Sequence, residues 1–393
     1  MSGSAAADPT RSLGPALTDL ARWFAEYYGT PAEVAWLAPG RGNLIGEHTD
    51  YNDGLVLPFA IGRSVRVAAA SRADGVLELR SLQAPGERVE VALRGLAPGS
   101  VHGWAAYPAG TAWAIGDRGP AGASVLVDSD LPLGAGLASS AALECAVLGC
   151  LADLAGLALP GREIAALAWR CETQFVGVPC GIMDQFAVML CRPGHALLLD
   201  CRSEETCDVP LDPASVALRL MIIDTRVKHE LTGGQYGQRR RECEAAARAL
   251  GVASLRDVED EAGLAPLAGL ADQVPMRRAR HVVTENARVR RAVEVMRAGR
   301  LADVGPLLTA SHGSLRDDFE VSWAEADIAV DAALAAGALG ARMMGGGFGG
   351  CVLAMVPADR SSVVVRAIES ALAGAPTFVE VMPAAGAHRL VLG

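Results

Sequence analysis

Lysine is almost missing from this chain: of its 35 basic residues, Lys228 alone is a lysine. That scarcity excludes two large classes of phosphate-handling protein. A P-loop needs G-x-x-x-x-G-K-[ST], whereas Lys228 stands in the unrelated string TRVKHE. The protein-kinase pattern needs a strand lysine paired with a helical glutamate. Any phosphate bound here must be met by arginine, backbone amides or a metal ion. The nine cysteines are odd in number and form no C-x-x-C pair, so the chain reads as reduced and cytoplasmic. No apolar run suits a membrane span. The longest, 138–160, is broken by Glu144 and Asp153 and rich in small residues, which fits a buried helix. The opening MSGSAAADPTRSLG carries no basic region ahead of an apolar core, so neither signal peptide nor anchor is expected, and residues 1–20 read as a flexible lead-in. A net charge of −10 argues against nucleic acid as a partner and favours small molecules.

What is present is a core large enough for more than one domain. With 393 residues and 51% hydrophobic content, two lobes with a cleft between them are expected. Strand-like runs at 64–70, 123–127 and 196–199, broken by glycine turns and two helices, predict an α+β N-terminal lobe over 21–203. A further apolar run at 216–223 precedes helical spacings at 236–250 and 280–298. A glycine cluster, an apolar strand at 351–356, a helix at 361–372 and a short terminal strand complete a second α+β lobe over 204–393.

Four segments carry chemistry. PGRGNLIGEHTDYNDGLVLP, residues 39–58, crowds Arg41, Glu47, His48, Asp50 and Tyr51 among glycines. Such acceptors and donors suit a polyhydroxylated ligand such as a sugar; the alternative is a solvated turn. LPLGAGLASSAAL, 131–143, sets Gly134 and Gly136 before Ser139 and Ser140 at a helix start, where free amides and the helix dipole attract an anion. An ordinary serine N-cap is the alternative.

MMGGGFGGC, 343–351, contains G-x-G-x-x-G, but too few residues follow for a dinucleotide-binding unit. A tight turn closing a site fits better. CGIMDQF, 180–186, isolates Asp184 among apolar neighbours, as a catalytic base or as a helix cap. Glu172 lies twelve residues earlier, and a carboxylate with a serine hydroxyl suits Mg²⁺, which takes oxygen ligands.

The order of these four segments, with TENARV and SLRDDFEVS further on, resembles the galactokinases of the GHMP kinase superfamily. The resemblance implies a two-lobed α+β GHMP kinase fold with the active site in the cleft. It implies transfer of the ATP γ-phosphoryl group to the C1 hydroxyl of D-galactose, giving galactose 1-phosphate and ADP, the first committed step of galactose catabolism. By position it assigns Asp184 as catalytic base or orienting group and Arg41 as transition-state stabiliser. Glu47, His48, Thr49, Asp50, Gly181 and Tyr236 fall to galactose. Gly134, Ala135, Gly136, Leu137, Ala138, Ser139 and Ser140 fall to the nucleotide phosphates, Trp104 to adenine, and Ser140 and Glu172 to Mg²⁺. A cytoplasmic monomer without membrane or nucleic-acid partner is expected.

Three positions depart from the family pattern. Gly42 replaces valine and is expected to loosen the loop carrying Arg41; Ala138 replaces a serine; Pro108 is expected to interrupt a helix and disturb Trp104. The alternatives are a kinase of a related sugar (N-acetylgalactosamine, arabinose or galacturonate) or a non-catalytic galactose and ATP sensor. The intact EHTD favours galactose, and the Ser140-Ala141 pair argues against the sensor.

Overall fold

The computed structural model describes residues 17–132, 134, 136–227 and 234–392; Ala135, Lys228 and the first sixteen residues lie outside them. Helix α1 (Leu17–Tyr28) takes up the end of the expected lead-in, since Leu20 and Phe24 are fully buried. It leads into β1 (Val34–Asn43), β2 (Leu55–Val56), β3 (Pro58–Ser71), β4 (Val76–Ser81), β5 (Val89–Ala92), α2 (Ala106–Ile115), β6 (Ala123–Ser129) and α3 (Ser139–Leu154). Then come α4 (Gly161–Arg170), α5 (Met183–Leu190), β7 (His195–Asp200), β8 (Thr206–Pro210) and β9 (Leu218–Asp224). The helical stretch is α6 (Gln235–Leu250), α7 (Val274–Arg297), α8 (Val304–Asp317) and α9 (Ala324–Ala335), followed by β10 (Gly340–Met344), β11 (Cys351–Pro357), α10 (Ser361–Ala371), β12 (Thr377–Val381) and β13 (His388–Leu390).

The central strands β3 and β6 bury residues at successive positions because both of their faces are covered. Along β3, Val65, Val67 and Ala69 face the main core with α3, while Ala68 and Ala70 face α1 with Leu20 and Phe24. The sheet order is β13-β1-β3-β6-β4-β5. A second sheet, β10-β11-β9-β12, divides two cores by the same alternation: Leu353 and Met355 face the main core, Val352 and Ala354 the other. Helix α7 passes from one core to the other, with Val282 in the second and Val289 in the main one.

Two pairings cross the expected division at residue 203. Strand β8 lies beyond it yet pairs with β7, and β13 returns to pair with β1 in the N-terminal sheet. Pro108 does not break α2. It falls in the first turn, where a helix lacks N–H acceptors in any case.

Candidate active site

The cleft is built where three loops converge. After β1, residues 44–54 form the first; the turn into α3 forms the second; the β10–β11 hairpin, 345–350, forms the third. The glycine cluster is thus a hairpin turn, as the sequence suggests, and its Gly345 comes against Gly136 of the second loop. A Cβ at Gly136 would lie 3.3 Å from Met344 O, and its φ of 72° is in the left-handed region.

At the junction Arg41 and Asp184 meet. Arg41 sits in β1 next to a register shift and is almost fully buried, and its Nε and Nη2 donate to the two Asp184 oxygens, each at 2.9 Å. Its Nη1 donates to Gly136 O, tying the first loop to the second. Asp184 lies in the first turn of α5 whose N-cap is Ile182, so its carboxylate is spent on Arg41 rather than on a cap.

Gly42 is not in a loop. It lies in β1 opposite Phe59, whose ring fills the space where a Cβ would stand 2.6 Å away, so the expected loosening has no basis in this geometry.

The first loop is tied to the elements around it. Glu47 accepts from Asn43 Nδ2 at 2.6 Å, Arg342 Nη2 at 2.7 Å and the Gly345 amide at 2.6 Å. His48, at φ 62°, bonds Tyr51 through Nδ1 at 2.8 Å and packs at a tilt against the rings of Tyr236 and Phe319. Burial first, then the cations Arg239 and Arg342 with His281, holds His48 well below the usual histidine pKa. Thr49 is turned inward, its hydroxyl against the carbonyls of Gly46 and Leu55, so it braces the loop and does not face the cleft.

Asp50 packs so closely on Gly181 that a Cβ there would stand 2.2 Å from Asp50 Oδ2. Burial, then the charges of Asp184 and Glu47, push the Asp50 carboxyl up to about 7. Tyr236 contacts the rings of His48 and Tyr51.

The second loop is open by comparison. The N-cap of α3 is Ala138 at φ 58°, with no side-chain cap on the first-turn amides. Ser139 and Ser140 are half-buried, and the Ser140 hydroxyl bonds Glu172, which sits in a π-helical turn after α4. Burial and Asp184 raise the Glu172 pKa. Leu137 is buried; its carbonyl accepts from the Arg41 amide at 3.1 Å. Trp104 stands apart, on the turn before α2, with its indole N–H buried and unpartnered.

Among the described residues no group of three or more His, Cys, Asp or Glu is placed to hold a metal. A cation here would find only Ser140 and Glu172, two oxygen ligands beside the further negative charge of Asp184. That sparse, hard donor set fits Mg²⁺, which keeps waters and substrate phosphates.

Four residues went unassigned at the sequence level: Asn43, Arg342, Glu144 and Gln185. Gln185 Nε2 bridges Glu172 at 2.5 Å and the fully buried Glu144 at 3.2 Å. A carboxylate inside the apolar face of α3 is the signal that could have drawn attention to Glu144.

Comparisons place this architecture. Models of the GHMP kinases N-terminal domain and C-terminal domain match residues 106–192 and 292–374. The mevalonate kinase of Methanococcus jannaschii, 15% identical, shares the fold at a TM-score of 0.65 over 89% of this chain and 98% of its own. Fold and cleft define a GHMP kinase. A galactokinase galactose-binding signature matches residues 22–71. A galactokinase of Streptomyces coelicolor is 48% identical over 94% of this chain and 97% of its own. The crystal structure of Lactococcus lactis galactokinase complexed with galactose superposes at a TM-score of 0.90, 34% identical, covering 95% of this chain and all of that one. The chain belongs to the galactokinase family.

Proposed function

We propose that this protein transfers the γ-phosphoryl group of ATP to the C1 hydroxyl of D-galactose, acting as a cytoplasmic monomer. The observation that carries this reading is the Arg41–Asp184 pair, held where the sugar loop, the uncapped α3 N-terminus and the glycine hairpin meet. Glu47, His48, Asp50 and Tyr236, with the Gly181 backbone, shape the sugar pocket. Asp184 accepts the hydrogen bond of the C1 hydroxyl and takes its proton as the new P–O bond forms and the bond to the ADP oxygen breaks.

Three of the five Arg41 N–H groups are engaged by Asp184 and Gly136; the remaining two are free to stabilise charge on the transferring phosphoryl. The backbone of Gly134 and of Gly136 through Ser140 cradles the nucleotide phosphates, and the Trp104 ring lines the adenine pocket. Ser140 and Glu172 would hold Mg²⁺, whose contribution when bound is to neutralise phosphate charge.

A coupled assay of ADP release across galactose and related sugars tests the reading. Mg²⁺-dependent turnover with galactose preferred is expected. Turnover preferring another sugar, or binding without turnover, overturns it.

A further inference from the structure

The TENARV segment has no role in the chemistry so far, yet it grips the sugar loop from behind. On α7, His281, Glu285 and Asn286 share one face at i, i+4 and i+5. All three are almost completely buried. Their polar atoms meet two backbone groups of the loop and one at the start of β2, where the loop ends. Glu285 Oε1 accepts from the Gly46 amide at 2.9 Å, His281 Nε2 bonds the Glu47 carbonyl at 3.0 Å, and Asn286 Oδ1 accepts from the Leu55 amide at 2.7 Å.

The gripping side chains are themselves held. Glu285 also takes Ser311 Oγ at 2.7 Å and Arg288 Nε at 2.7 Å, and His281 Nδ1 meets Ser314 Oγ at 2.9 Å, both serines lying on α8. With Nε2–H donating to the Glu47 carbonyl, Nδ1 is left as an acceptor facing the Ser314 hydroxyl, whose one hydrogen is shared with Asp318 Oδ2 at 3.2 Å.

We propose that His281, Glu285 and Asn286 are positioning residues that set galactose affinity by fixing both ends of the loop carrying Glu47, His48 and Asp50. The loop needs such a frame. It carries His48 at φ 62°, a conformation that a non-glycine residue keeps only when its surroundings impose it. It also leaves backbone groups buried that would otherwise be unpaired. Because the grip lies on the sugar loop and not on the phosphate loop, its loss acts on one substrate. The proposal rests on galactose being the sugar bound there.

Steady-state kinetics of the full chain, varying galactose and ATP separately, test it. Asn286→Leu removes the acceptor for the Leu55 amide at similar volume. Its KM for galactose should rise about tenfold, equivalent to about 1.4 kcal/mol, the order of one buried hydrogen bond, with KM for ATP unmoved. Asn286→Asp keeps the acceptor and should restore the value. Val282→Ala, on the same helix but in the second core, should lower stability and leave KM for galactose in place.

An unmoved KM for galactose in Asn286→Leu, an equal rise in both KM values, or a matching rise in Val282→Ala overturns the proposal. Should Asn286→Leu fail to fold, Asn286→Ala, which removes the same acceptor for the Leu55 amide without adding apolar bulk, carries the same readings. Amide exchange at Leu55 without substrates should quicken in Asn286→Leu; unchanged exchange overturns the grip even if the wild-type chain turns over no galactose. Absent galactose turnover with quickened exchange overturns the assigned sugar alone.

Discussion

The loop after β1 and the loop before α3 meet at the same junction but are built on opposite plans. In the first, the Glu47 and Thr49 side chains are committed to the protein, His48 is held by Tyr51 through Nδ1, and Asp50 is wedged against Gly181. In the second, the helix start is uncapped, Gly134 has open space where a Cβ would go, and Ser139 and Ser140 are only half-buried. A neutral polyol must be recognised by geometry, so its pocket gains from groups frozen in place before binding. A polyphosphate brings its own charge, and what it needs is unspent donors. On the proposed assignment, rigidity serves the sugar and vacancy the nucleotide.

Asp184 belongs to neither loop, and its loss should separate chemistry from both binding functions. Asp184→Asn should cut kcat by about 10²- to 10⁴-fold while calorimetry still detects galactose binding. Turnover near the wild-type level would remove Asp184 from the mechanism and leave the two loops as the whole site.

Asp50 tests the cost of freezing the first loop. Its folded carboxyl titrates near 7, above the ordinary value near 4 expected of the unfolded chain. Between those values the folded state binds the extra proton, so the group favours folding at low pH and that contribution is lost as pH rises through about 7. Asp50→Asn should flatten this fall in the substrate-free protein, read as urea midpoints from pH 5 to 8. It should also raise KM for galactose, on the order of tenfold for one lost charged contact. A variant with the wild-type pH slope would show that Asp50 is not the strained group.

Gly136→Ala asks whether the second loop tolerates being filled. The new Cβ would stand 3.3 Å from Met344 O at a φ of 72°, a conformation costing about 1–2 kcal/mol for alanine. KM for ATP should rise roughly fivefold or more on that cost, with KM for galactose unmoved. An effect on galactose instead would mean that the two loops are not separable.

How much of this was legible beforehand follows from which contacts are local. The loop before α3 is legible as a candidate anion site because its glycines, serines and helix lie within a dozen residues. The Arg41–Asp184 pair came only through family resemblance, since nothing along the chain links the two. Two of the three partners of Glu47 are not legible: Arg342 and Gly345 approach it from the far end of the sequence, and neither Arg-Met-Met nor a glycine run announces a carboxylate partner. The return of β13 to β1 escaped notice for a similar reason. A strand of three residues, His388–Leu390, is too short to show a period, and its pairing is set by the open edge of a distant sheet. Thr49 misled because the EHTD string reads as one functional unit, whereas its hydroxyl turns inward.

Gly42 offers the finest test, because it bears on the frame of the sugar loop without touching substrate. The Phe59 ring occupies the space that a side chain at position 42 would need, with Cζ 2.6 Å from the ideal Cβ. Gly42 and Phe59 are therefore one packing solution divided between β1 and β3. Gly42→Val should cost about 1–3 kcal/mol of stability by overpacking, read as a lower urea midpoint, while kcat stays near wild type because Arg41 keeps its bonds to Asp184. In a Phe59→Leu background the same valine should be better tolerated, with a coupling of about 0.5–3 kcal/mol between the two sites. Additive costs would break the pairing. A drop in kcat without a drop in stability would instead make position 42 part of the Arg41 machinery, so that β1 would serve the chemistry directly as well as framing the rigid loop that follows it.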